Sequence, residues 1–131
     1  MSDPSGWLAR GREIQKKLWG ARATGGGGPP GMQLAPEFFE WVAQACFGGL
    51  WARPGLALRD RSLVTVAQLA ALGKTEELRG HLAGALAQGL SREELLEVLM
   101  QTAAYAGIPA AVQALNAAAP VLGAPKDAGA V

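Results

Sequence analysis

The single histidine of the chain, His81, is its most informative candidate for chemistry, and it lies in the stretch GKTEELRGHLAGALAQGL. Leu78, Leu82 and Leu86 recur every four residues around it and predict a helix with a buried leucine stripe. His81 lies beside that stripe, where an imidazole is partly desolvated and still within reach of a substrate. It is therefore a candidate general acid or base. The same spacing also fits a histidine at the edge of the core with no chemical role.

A second set of polar side chains follows an i, i+3, i+7, i+11 pattern in the next predicted helix. The set consists of Glu94, Glu97, Gln101 and Tyr105. A carboxylate, an amide and a phenol in line can hold an imidazole in one tautomer or bind a polar ligand. The pattern establishes only a shared face, and a solvated face or a salt bridge between helices explains it as well.

Three arginines, Arg53, Arg59 and Arg61, flank the turn WARPGL. Guanidinium groups bind carboxylates through paired hydrogen bonds, so these residues are candidates for an anion site, with surface charge at helix ends as the alternative. The lone cysteine, Cys46, has no neighbour in sequence that would lower its pKa, which favours a small core residue. One histidine and one cysteine give no metal set at useful spacing, and GGGGPP is not a phosphate-binding loop.

Length and composition indicate one helical domain. The chain has 131 residues, half of them apolar and dominated by alanine and leucine, which favours an all-α fold. We predict a single domain over residues 1–131, with flexible ends at 1–6 and 124–131 and a glycine and proline loop at 20–31. Twelve basic and eleven acidic residues without long charged runs give no indication of a nucleic acid partner. One cysteine and no apolar leader favour the cytoplasm.

Capping signals and apolar periodicity predict about six antiparallel helices and no strand. Asp60, Thr75 and Ser91 are predicted N-caps, with Glu94 completing a capping box after Ser91. Gly73 is a predicted left-handed C-terminal residue. The predicted helices cover residues 6–18, 36–49, 61–72, 76–88, 92–105 and 109–121.

Residues 98–125 contain no charged side chain, which raises the question of a membrane span. Gly107 and Pro109 interrupt the run, and Gln101, Gln113 and Asn116 would be costly in lipid. We therefore interpret it as two buried helices and expect no membrane association. Because a chain of this length has limited means to cover helices that are apolar on most sides, the pattern also favours a homo-oligomer.

Residues 47–115 strongly resemble the carboxymuconolactone decarboxylase family. The motifs that carry the resemblance are W-x-RPGL, R-S-L-V-T, L-A-A-L-G, E-L-x-x-H and Y-x-G-x-P-A-A, and GREIQKKLWG resembles the family's N-terminal helix. The resemblance implies an alkyl hydroperoxidase D-like helical subunit that assembles into trimers or hexamers. It also implies a small-molecule carboxylate substrate, 4-carboxymuconolactone, which loses carbon dioxide to give 3-oxoadipate enol-lactone. The resemblance implies that this reaction needs no metal or organic cofactor. His81 would donate the proton, and an arginine such as Arg53 or Arg61 would hold a carboxylate.

Two departures from related sequences separate the possible functions. The peroxidase branch of the same fold uses C-x-x-C followed by a histidine, but Lys74 and Glu77 stand at those cysteine positions, which argues against a dithiol peroxidase. Decarboxylase-like members commonly carry acidic residues where this chain has Gly49 and Ala57. An oligomeric protein that binds a small molecule without catalysis is therefore the alternative to a lyase.

Overall fold

A computed structural model describes residues 3–20 and 28–123, and these residues form helices and no strand. The predicted all-α fold is confirmed. Most of the predicted loop at 20–31, and the predicted flexible end at 124–131, lie outside the described residues. The helices are α1 (Trp7–Trp19), α2 (Gly31–Leu34), α3 (Pro36–Val42), which continues as a π-helix (Ala43–Trp51), α4 (Leu58–Leu72), α5 (Thr75–Ala87), α6 (Arg92–Ala106) and α7 (Ile108–Leu122).

The described part of the chain falls into two compact units, one ending at Arg61 and the other beginning at Ser62. In the first unit, α1 packs closely on the π-helix, and the contact depends on glycines. A Cβ atom on Gly11 would overlap the carbonyl group of Ala43, and one on Gly48 would overlap the backbone of Trp7. The absence of side chains at these two positions therefore lets the two backbones touch.

Aromatic side chains build the small core of the first unit. Leu18, Phe47 and Trp51 are buried together. The ring of Phe47 stacks on Trp51 at a centroid distance of 5.6 Å, and Trp19 meets the edge of Phe47 at 5.6 Å. The π-helix, in which the backbone bonds run from residue i+5 to residue i, supplies both Phe47 and Trp51. It ends at Trp51, close to the predicted end of that helix.

The second unit contains α5, α6, α7 and the part of α4 from Ser62 onward. Its core is aliphatic, and Leu78, Leu82, Leu95 and Leu99 are its fully buried leucines. The uncharged run beginning at Val98 forms the second half of α6 and the whole of α7, so the predicted break into two helices is confirmed. Several of its apolar side chains, Ile108 and Tyr105 among them, are exposed instead of buried. No helix in the described residues has both the length and the apolar character needed to cross a bilayer.

The helix ends test the capping predictions. Ser91 and Glu94 form the predicted capping box, since the Glu94 amide donates to Ser91 Oγ at 3.0 Å and the Ser91 amide donates to Glu94 Oε1 at 3.0 Å. Gly73 has the predicted left-handed conformation, with φ +71°. The predictions for Asp60 and Thr75 are wrong, because α4 begins two residues before Asp60 and Thr75 is the first residue of α5, after Lys74.

Candidate active site

His81 lies on α5 at the edge of the aliphatic core, as the sequence predicts. Leu78 and Leu82 are fully buried beside it, and the imidazole itself is partly buried. Leu86, in contrast, is 37% exposed, and Ala85 takes its place in the buried stripe. The prediction for Leu86 is wrong because a spacing of four residues drifts around a helix of 3.6 residues per turn, so after two steps the side chain has left the core.

Burial sets the protonation state of His81. Desolvation lowers the pKa of His81 from 6.5 to about 4, and the negative charge of Glu77 opposes that shift. At neutral pH the imidazole is therefore uncharged, and a nearby negative charge favours its protonation. The polar pattern of α6 indicated Glu97 as the partner carboxylate, whereas the carboxylate that acts on His81 is Glu77. The signal for Glu77 is its i, i+4 spacing to His81, which places both side chains on one face of α5.

The predicted polar stripe of α6 divides into separate roles. Glu94 caps the helix, and Glu97 is exposed. Gln101 and Tyr105 line an open groove of about 380 Å³ between α6 and α4, whose other lining residues are apolar except Thr102. His81 and Glu97 do not line this groove, and neither does any charged residue. The stripe therefore does not gather around the imidazole, and the groove suits an uncharged group.

The arginines near the WARPGL turn also differ from one another. Arg61 is partly buried, and its Nη2 donates to the backbone carbonyl of Arg53 at 3.0 Å. The Nε of Arg61 is buried and has no hydrogen-bond acceptor in the part of the chain that the structure describes. Arg59 faces Asp60 at 3.9 Å, whereas within residues 3–20 and 28–123 no carboxylate lies within 4 Å of Arg53 or Arg61. The structure thus fixes the Arg61 guanidinium against the backbone of Arg53 and leaves its Nε as a donor for an anion.

Cys46 lies in the π-helix, partly buried against the aromatic core of the first unit. Burial raises the pKa of the Cys46 thiol, which keeps it protonated and poorly nucleophilic. Nowhere in the described ranges do three His, Cys, Asp or Glu side chains gather as a metal site would require. The interpretation of Cys46 as a small core residue fits this environment.

Gly49 and Ala57, where the resemblance leads us to expect acidic residues, have different surroundings. Gly49 is buried under the indole of Trp7, and a Cβ atom there would lie 3.2 Å from the ring carbon Cζ3. A Cβ atom at Gly49 therefore requires the indole to shift by a few tenths of an ångström. Ala57 is exposed in the loop before α4. The space next to Gly49 is therefore filled by an aromatic ring instead of a carboxylate.

Comparison with known proteins identifies the family of this chain. The family model described as the carboxymuconolactone decarboxylase family matches residues 36–120, which include the π-helix and α4 to α6 in full. The chain belongs to the carboxymuconolactone decarboxylase family. This assignment agrees with the sequence motifs in the same region. The similarity of α1 to the family's N-terminal helix lies outside the matched residues and stays a prediction.

The chain is similar in sequence to three relatives over more than half of its length. The chain is 40% identical to 4-carboxymuconolactone decarboxylase of Acinetobacter baylyi over 93 residues, which cover 71% of this chain and 67% of that protein. It is 32% identical to nitrosuccinic acid decarboxylase of Metarhizium robertsii, with 58% and 53% of the two chains covered. An uncharacterized 15.0 kDa protein of Paracoccus denitrificans is 31% identical, with 66% of each chain covered. The chain thus spans between half and about two thirds of these relatives.

Proposed function

We propose that the protein is a decarboxylase that needs no cofactor and acts on a carboxylated lactone such as 4-carboxymuconolactone. The observation that carries this proposal is the position of His81, a partly buried and uncharged imidazole at the edge of the α5 core, in a chain of this family. The names of two relatives, both decarboxylases, support the reaction class. The substrate class, a carboxylated lactone, is taken from the name of the relative that is 40% identical, 4-carboxymuconolactone decarboxylase.

The chemistry asks little of the protein beyond charge stabilisation and one proton. The bond between the carboxylate carbon and the ring carbon breaks, and carbon dioxide leaves. The electron pair delocalises through the unsaturated lactone to its carbonyl oxygen. A carbon of this enolate then takes a proton from the imidazolium of His81, which returns to the neutral imidazole. An anionic substrate beside His81 raises its pKa, so substrate binding itself favours the protonated donor.

Arg61, supported by Arg53, is our candidate for binding a substrate carboxylate. Arg61 is held by its hydrogen bond to the Arg53 carbonyl and keeps a buried Nε with no acceptor among the described residues. A carboxylate accepts two parallel hydrogen bonds from one guanidinium, which fixes orientation as well as charge. Gln101 and Tyr105 remain candidates for contacting an uncharged part of a ligand through their groove. Glu97 remains an untested candidate for a supporting role.

We also propose that the chain assembles as a homo-oligomer, a trimer or a hexamer. The uncharged run that begins at Val98 in α6 and continues through α7 carries apolar side chains that remain exposed in the single chain, namely Met100, Tyr105, Ile108 and Val112. Exposed apolar surface of this kind is characteristic of protein interfaces. Sedimentation velocity or light scattering on the purified chain measures the mass directly.

A second candidate function is ligand binding without turnover. The observation that favours it is the packing of the Trp7 indole on Gly49, which a side chain at that position would have to shift. In that case a carboxylated lactone binds to the protein and is recovered unchanged. Steady release of carbon dioxide with multiple turnovers per chain excludes this candidate.

The test of the proposed function is an assay with 4-carboxymuconolactone. Carbon dioxide release and loss of ultraviolet absorbance are followed together, so that hydrolysis of the lactone is not mistaken for decarboxylation. Multiple turnovers with equal amounts of carbon dioxide and enol-lactone support the proposal. Absence of turnover at any concentration of the intact protein rejects this substrate and favours the binding function.

A further inference from the structure

The proposed reaction consumes one proton in every turnover, and this proton has to reach a partly buried imidazole. Once His81 has protonated the product carbon it is neutral, and burial favours that neutral form. A group that has access to both solvent and His81 would restore the proton. The group most suited to this is an ionisable side chain of the second unit on the same helix face as His81.

Few charged groups are available around α5. Helix α7, which packs against α5, contains no charged residue, and α4 contains none after Arg61. The charged side chains of α6 lie in its first two turns. They are Arg92, Glu93, Glu94 and Glu97. Arg92 donates to the Leu122 carbonyl and Glu94 caps the helix, so both are used in holding the second unit together.

On α5 itself, two of the three charged side chains are paired with each other. Arg79 donates to Glu76 Oε1 at 2.6 Å, and its Nε donates to the carbonyl of Ala117 on α7 at 3.2 Å. Glu77 takes part in no ion pair among the described residues. It is exposed, and it precedes His81 by four residues, so that one helical turn of about 5–6 Å separates the two Cβ atoms.

We propose that Glu77 is a positioning residue for His81. The carboxylate of Glu77 stabilises the imidazolium of His81 and passes it a proton from solvent between turnovers. This inference rests on the proposed function, because it assigns Glu77 a role in the same proton transfer. In balanced form, the carboxylic acid form of Glu77 gives a proton to the imidazole through an intervening water, and the resulting carboxylate takes a proton from bulk water or from a buffer acid. No other reactant is required.

The electrostatics of α5 agree with this role. The charge of Glu77 is the one that raises the pKa of His81 against the larger effect of burial. Removal of that charge is expected to make protonation of His81 harder without removing the imidazole. Glu76 is the matched control, because it is the adjacent glutamate in the same first turn and its carboxylate is engaged by Arg79.

The first experiment is an NMR titration of the imidazole, which is unambiguous because His81 is the only histidine. Glu77→Gln is expected to lower the pKa of His81 by roughly 0.3 to 1 unit, and Glu76→Gln to leave it within error of the unmodified protein. Equal pKa values for His81 in the intact protein and in Glu77→Gln would overturn the inference.

The second experiment measures decarboxylation across pH for the same variants and for Glu77→Asp. Glu77→Gln is expected to lower kcat several-fold, with the loss growing as pH rises and partly reversed by small buffer acids. Glu77→Asp restores part of the rate, and Glu76→Gln matches the intact protein. An unchanged rate and pH profile in Glu77→Gln overturns the inference even if the NMR shift is seen. Absence of turnover in the intact protein instead rejects the proposed function. The NMR comparison then tests only whether the charge of Glu77 raises the pKa of His81.

Discussion

The backbone of Trp7 lies against Gly48 so closely that any side chain at position 48 would overlap the Trp7 carbonyl group. Gly11 meets the carbonyl group of Ala43 across the same contact. Two glycines on opposite sides therefore fix the distance between α1 and the π-helix. The aromatic core of Leu18, Phe47 and Trp51 is closed by this contact.

Gly48→Ala is expected to destabilise the first unit by about 3 kcal/mol or more, because backbone atoms cannot move aside as a flexible side chain can. Gly80→Ala is the control, since nothing lies within 4 Å of a Cβ atom there and the residue is inside α5. Alanine at Gly80 is expected to stabilise by about 0.5–1 kcal/mol through helix propensity. Chemical denaturation measures both effects, and equal unfolding midpoints for the two variants would contradict the close contact.

The uncharged state of His81 makes stability depend on pH. The pKa of His81 is about 4 in the folded chain and 6.5 for the unperturbed group, so between these values the unfolded chain binds more protons. The free energy of unfolding therefore falls as pH falls from 6.5 to 4, by at most about 3 kcal/mol from this residue. Above pH 6.5 this contribution is constant.

His81→Gln isolates this contribution, because the other titrating groups cancel in the comparison. We expect the stability of the intact protein to decrease more steeply than that of His81→Gln between pH 6.5 and 4, at one fixed protein concentration. Denaturant titrations at several pH values measure the two slopes. Parallel curves would show that burial does not depress the pKa of His81.

The sequence was sufficient for the features that depend on local chemistry. The capping box of Ser91 and Glu94, the left-handed Gly73 and the break between α6 and α7 at Gly107 are all encoded within a few residues. The position of His81 at the edge of the core follows from helical periodicity. All of these features lie in the second unit.

Features that depend on tertiary contact were not predictable in the same way. The π-helix in place of an α-helix over Ala43–Trp51 has no periodic signal and coincides with the glycine contact to α1. The low pKa of His81 depends on how much of the imidazole is covered by packing. The i, i+4 spacing of Glu77 and His81 is visible in the sequence, whereas the electrostatic effect of Glu77 on a partly buried imidazole depends on the packing around α5.

Arg61→Gln is expected to raise KM for a carboxylated substrate by about 10- to 100-fold, because a charged hydrogen-bond donor to a carboxylate contributes about 1.5–3 kcal/mol. Arg59→Gln is the control, since Arg59 faces Asp60 and has a neighbouring carboxylate of its own. The two variants are compared by steady-state kinetics after their folding is verified by circular dichroism. A KM that changes equally in both would remove Arg61 from substrate binding.

Ile108→Lys is expected to reduce the mass of the assembly, because it introduces a charge into an uncharged, apolar surface. The side chain of Ile108 is 70% exposed in the single chain. Gln113→Lys adds the same charge at an exposed polar position of α7 and is expected to keep the native mass. Sedimentation velocity distinguishes the two. A monomeric unmodified protein would reject the proposed assembly, and an unchanged mass in Ile108→Lys would exclude this face as the interface.

The most direct test of the central claim is the rate of carbon dioxide release from 4-carboxymuconolactone by the intact protein and by His81→Gln, measured side by side. We predict multiple turnovers by the intact protein and a loss of at least about 100-fold in kcat for His81→Gln, the size typical of a general acid. Both proteins should have the same helical content and mass. Equal rates in the two proteins would contradict the assignment of His81 as the proton donor.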